Sequence, residues 1–262
     1  MKKTLVVFEK EWLEIRLQRA LLLSTFLIPP VVTLLVLGVF AAAGLFPGTG
    51  QMNLPPGVQL DPELAALSTR ELGQTVVGKQ FSIMFMLLPI FIPSVIASYA
   101  IVGEKRDRTL EPLLATPIRT WELLAGKSLA AIVPTLAVTV ACAGLFAVGI
   151  WVLAISPRVA SAILTPGWVL FLLLDVPFLA LFGIALIVLV SSRVNDPRSA
   201  QQISAVLVVP IMGLVFGNLS GALVLSPLVA AAGGVVLAAL AVISLRFASR
   251  LFQREVILIR WK

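Results

Sequence analysis

Six apolar runs, residues 21–46, 81–101, 128–155, 167–190, 203–217 and 227–247, alternate with polar stretches along the chain. A helix needs roughly 20 apolar residues to cross a bilayer, and the run at 203–217 reaches that length by starting near Ser199. Backbone polar groups in lipid must be satisfied internally, so runs of this kind predict helices. The expected fold is all-α: a polytopic membrane protein with six transmembrane helices in a single transmembrane domain over residues 1–262. Ahead of the first run, residues 5–19 place Leu5, Phe8, Trp12 and Ile15 on one helical face, with Lys10, Glu11, Glu14 and Gln18 mostly opposite. That pattern predicts an interfacial amphipathic helix anchored by Trp12.

The polar stretches differ in kind. Residues 47–80 hold Pro55, Pro56, Pro62 and several glycines, with a short helix expected from Asp61 as N-cap and Pro62 at its first position. Residues 156–166 read as a short turn, 191–202 as a polar, basic loop, and 218–226 as a turn or partly re-entrant piece. The longest charged interruption is 102–127. Within it Thr109 is a good N-cap, residues 110–115 follow as a helix of barely two turns, Pro112 is tolerable in its first turn, and Pro117 stops it. Leu110, Leu113 and Leu114 share a face flanked by Glu104, Lys105, Arg106, Asp107, Arg108 and Glu111. So short a helix needs a surface to press against. Headgroups or another protein would serve.

The residues Gly103-Glu104-Lys105, then Thr109 through Pro117, then Trp121 through Lys127 resemble the cytoplasmic loop of type-2 ABC exporter permeases. The resemblance is dense over these residues and extends elsewhere only to span number and spacing. It implies that the short helix is a coupling helix docking on a separate ATP-binding subunit, with Glu104, Arg108, Thr109, Leu110, Glu111, Leu113, Leu114 and Arg119 as the coupling residues. It also implies two ATP-binding subunits carrying ATP and Mg, and a second permease copy or a related permease. An N-terminal helix bordering the ATPase belongs to the same expectation.

Composition supports the membrane reading: 59% of the 262 residues are hydrophobic and 13% charged, with a mean hydropathy of +1.05. The net charge of +7 would suggest nucleic acid in a soluble chain, but here the basic residues flank apolar runs, so no nucleic-acid partner is expected. With six spans, 17 of the 20 lysines and arginines fall on the side of the N-terminus; Arg70, Lys79 and Arg158 fall opposite. The positive-inside rule therefore puts both termini and the 102–127 loop in the cytoplasm of a prokaryotic plasma membrane. Membrane lipids are the surrounding partner. Cys142, the single cysteine, reads as a small buried hydrophobe, and without a second cysteine or any histidine the usual zinc ligand sets are lacking.

Asp175 is the only acidic residue deep in a run, where a carboxylate costs at least about 2.5 kcal/mol. It reads as a pathway contact together with Ser94 and Ser98, or as packing glue between helices. Prolines occur in or beside every run, which fits a hinged bundle as well as the ordinary frequency of proline in membrane helices; Ser94, Ser98, Thr135 and Thr139 could bond the carbonyls they free. Gly126-Lys127-Ser128 imitates the end of a P-loop but has Trp121 where the first glycine belongs. Gly213 and Gly217 form a small-residue pair suited to helix packing. An intramembrane enzyme lacks a catalytic constellation, so no catalytic residue, cofactor or metal is expected in this chain. An ion-coupled secondary transporter using Asp175 is the alternative to an ATP-driven exporter.

Overall fold

The computed structural model describes residues 2–45, 67–85, 87–104, 118–191, 194, 196–204 and 227–251. Helix α1 is Lys2–Leu17, and α2 spans Arg19–Leu45 with a wide, π-helical turn at Leu23–Leu27. Next come α3 (Thr69–Met84) and α4 (Leu88–Ser98), the latter running into a second wide turn at Tyr99–Gly103. Helix α5 is Thr120–Leu153, α6 Pro157–Ile163, α7 Pro166–Ser191, α8 Pro197–Ser204 and α9 Pro227–Leu251. Among the described residues there is no strand.

Five helical stretches are long and apolar enough to cross a membrane: Arg19–Leu45, Thr69–Gly103, Trp121–Leu153, Pro157–Val190 and Pro227–Ala248. Of the expected run at 203–217 the first two residues end α8, and the rest lies outside the described residues. Helices α7 and α9 share the most extensive interface, while α4 packs on both α5 and α7. The second stretch is the most enclosed, and α9 the most open. Where α3 breaks to α4, Phe85 meets Phe146 and Trp168 at ring-centroid distances of 5.0 and 6.3 Å. This aromatic knot fills the centre of the larger core cluster.

Three boundaries differ from the sequence reading. The second span starts at Thr69 instead of 81, because Ser68 and Glu71 form a reciprocal capping box and the polar Gln74 and Thr75 are buried in the bundle. The third begins at Thr120, well inside the stretch read as loop, since Lys127 is accommodated by partners rather than by water. Residues 157–163 form α6 instead of a plain turn, with Pro157 at its start and Val159, Ala160 and Ile163 buried.

The hydroxyl bonds found near prolines go to neighbouring carbonyls and not to those the prolines free, which lie four residues before each proline. Thr33 donates to the carbonyl of Pro29 at 2.9 Å and Thr135 to that of Ala131 at 2.6 Å, beside Pro134. Ser98 donates to Val95. Ser94 and Thr139 are buried with no hydrogen-bond partner for their hydroxyls.

Candidate functional site

Charges that sequence reading assigned to surfaces converge where the 105–117 segment is rooted. Helix α1 buries Val7, Glu11 and Ile15, one residue per turn; of the expected face Ile15 is buried and Phe8 and Trp12 half-buried, but Leu5 is 58% exposed and Glu11 only 2%. The correction has a physical cause: Glu11 meets a buried cation. Lys127 of α5 lies with its Nζ 2.5 Å from Glu11 Oε1, 2.8 Å from Glu104 Oε2 and 2.7 Å from the carbonyl oxygen of Ala100, inside the second wide turn. Lys10 adds ion pairs to Glu104, to Glu11 at 3.2 Å and to Glu14 at 2.9 Å. Buried charges persist only when paired and hydrogen-bonded in this way.

Gly126 makes the approach possible. A Cβ there would stand 2.6 Å from Val7 Cβ and 2.9 Å from the carbonyl oxygen of Thr4, both fixed parts of α1. The Gly-Lys pair that imitates a nucleotide motif is thus the seat of the N-terminal helix. Trp12 completes the seat, half-buried between Phe8 and Phe26.

Glu11, Glu14 and Glu104 bring three carboxylate oxygens within 4.8 Å of one another. Among the described residues two ammonium groups, those of Lys10 and Lys127, lie against these carboxylates. Burial pushes the Glu11 carboxyl above its ordinary range, with Lys127 and Lys10 opposing and Glu104 reinforcing. Burial works against the charge on Lys10, yet its bonds to Glu104 and Glu14 and its attraction to Glu11 hold it more basic than a free lysine. For both groups the folded chain binds protons more tightly than the unfolded one. Their contribution is therefore complete below the unfolded pKa and is lost as pH rises through the folded one, first for Glu11 above 4.5 and then, at alkaline pH, for Lys10. Spin labels at Leu13 and Trp121 should accordingly report a separation that widens as the pH is raised above 4.5. A broader separation at the lower pH would contradict this sign.

Of the residues predicted for coupling, Glu104 is in the cluster, and Arg119 is exposed at the start of α5, its amide donating to Glu122 Oε2 at 2.9 Å. Arg108, Thr109, Leu110, Glu111, Leu113 and Leu114 lie outside the described residues. The predicted pathway residues do not come together. Gly183 faces Ile90, which places Ser94 and Ser98 one and two turns to the 105–117 side of that level. Asp175 lies eight residues to the other side, about 12 Å along α7. It is buried, its Oδ1 so close to Gly233 that a Cβ there would stand at 2.8 Å, and its Oδ2 has no hydrogen-bond partner.

Sequence reasoning missed Glu11 and Lys127 as partners, although each interrupts an apolar helix face. It also missed Gln74. This fully buried side chain donates to the carbonyls of Leu153 at 3.0 Å and Phe40 at 3.3 Å and accepts from the amide of Ile155 at 2.9 Å. Ser156 donates to Glu71 beside it at 2.6 Å. These bonds tie the ends of three spans together on the face away from 105–117.

An all-helical bundle with several membrane-length helices and a polar segment held at its roots by buried ion pairs is a multi-pass membrane protein. The chain belongs to the ABC-2 family transporter proteins, whose family model matches residues 5–232. It is the membrane permease component of an ABC transporter. Permeases of this family generally pair with an ABC ATP-binding subunit. Comparison with curated proteins finds no match.

Proposed function

We propose that this chain is the pathway-forming subunit of an ATP-driven exporter and that its 105–117 segment docks a separate ATP-binding subunit. The observation that carries the reading is the pinned root. Glu104, at one end of the segment, and Lys127, beyond the other, are joined by a buried ion pair of 2.8 Å, as a segment that receives force requires. In this reading the segment and both termini are cytoplasmic, and Leu110, Leu113 and Leu114, capped by Thr109 and flanked by Arg108, Glu111 and Arg119, enter a cleft of the ATPase. ATP and Mg bind there and not on this chain. Two permeases and two ATP-binding subunits enclose the pathway, with Asp175, Ser94 and Ser98 as its candidate polar contacts at separate depths. Closure of the ATPases on nucleotide drives the segment, and the second and third spans carry the motion inward.

Purification of the tagged chain from its native membrane in mild detergent tests this. A nucleotide-hydrolysing partner should copurify and should be lost in Leu113→Asp while the variant still inserts at parental levels. Unchanged copurification in Leu113→Asp would refute the docking site, and the absence of any ATPase under complex-preserving conditions would refute the exporter reading.

A further inference from the structure

Helix α1, the end of the second span and α5 meet at one atom, the Nζ of Lys127. It bonds α1 through Glu11, the end of the second span through Glu104, and the wide turn before it through Ala100. Lys10 duplicates the link between α1 and Glu104. Apolar contacts would suffice to hold a terminal helix, since Val7, Ile15 and Leu123 already share one buried cluster. Buried ion pairs are weak stabilisers, and their best-attested use is to fix registry. Apolar surfaces can slide past one another at small cost, whereas displacing α1 from Lys127 would strand buried charges. The three elements therefore move together.

We infer that Lys127 is a positioning residue for energy coupling: it locks α1 and the roots of the 105–117 segment into one body, so that force on the segment turns the spans instead of being absorbed at their ends. This rests on the reading of 105–117 as the ATPase contact.

Labels far from the cluster test it. In a Cys142→Ala background, spin labels at Arg70→Cys and Leu228→Cys mark the opposite ends of the second and last spans, both at exposed positions. The distance between them is measured in the purified complex with its ATPase, with and without Mg-ATP and vanadate. The parent should change distance on nucleotide addition. Lys127→Met should hydrolyse ATP at the parental rate without the distance change, and Lys127→Arg should restore part of it. A purely structural role would not separate hydrolysis from the far-side motion. Where Lys127→Met does not assemble, Glu11→Gln gives the same comparison with the side chain's volume kept. A nucleotide response in these variants equal to the parent's, or a parent that hydrolyses ATP without any response, would overturn the inference. A parent with no ATPase would instead refute the docking reading on which it rests.

Discussion

Lys127→Met should loosen the N-terminal helix on the bundle and raise tryptic cleavage after Arg16 and Arg19 more than a hundredfold. Removing one partner of a buried ion pair costs about 3–5 kcal/mol because the other charge is left behind. Here the lower end, about 3 kcal/mol, applies, since Lys10 remains beside Glu104 and Glu11 can take up a proton; each 1.4 kcal/mol is a factor of ten in the opened population. Cleavage reads that population when opening and closing are fast. The double variant Glu11→Leu with Lys127→Met should recover most of the protection. It removes the buried anion along with the cation and keeps the pair of Lys10 with Glu104. Cleavage of the single variant at the parental rate would mean that α1 is held by its apolar contacts alone, and equal, raised cleavage in both variants would mean that the stranded charge of Glu11 is not the cause.

Gln74→Leu carries the second large effect, at the opposite end of the spans. Leucine fills similar space but leaves the amide of Ile155 and the carbonyl of Leu153 without the bonds that Gln74 makes to them. An unsatisfied buried group costs about 1–3 kcal/mol, and these two, being only partly buried, should together loosen the junction of α5 and α6 by about 2–4 kcal/mol. Amide exchange at Ile155 is the direct readout and should speed up by roughly tenfold to a thousandfold. Gln74→Glu should fall between leucine and the parent, because its carboxylate still accepts from Ile155 but cannot donate. Exchange at the parental rate in Gln74→Leu would show that the junction is held without this side chain.

These two side chains mark the limit of what the sequence discloses. The middles of the spans were legible, since some twenty apolar residues in succession leave a chain little choice but a membrane helix. Their ends were not, because the polar residues there are buried by partners remote in sequence: Lys127 lies 116 positions from Glu11, and Gln74 lies 79 from Leu153. Helical periodicity reports which residues share a face, not what that face meets. Hence α1 was recognised as a helix, and Ile15 and Trp12 do face the bundle, but Leu5 was placed on the buried side and Glu11 on the polar one. Glu104 was read as a coupling residue of the 102–127 loop, and its partners among the described residues, Lys10 and Lys127, lie on other helices. No local pattern around Gly126-Lys127 revealed that the glycine clears space for Val7.

The wide turn at Tyr99–Gly103 also sets a phase. One residue of α-helix corresponds to about 100° of rotation, so accommodating an extra residue swings everything downstream by that amount relative to an unbroken helix. Glu104 is the first side chain past the turn, and its azimuth on the bundle is fixed by how many residues precede it more than by which ones. In related chains, selection at this stretch would act on length: substitutions that keep the backbone leave Glu104 aimed at Lys127, whereas deletion of a single residue would keep every charge and turn the carboxylate away.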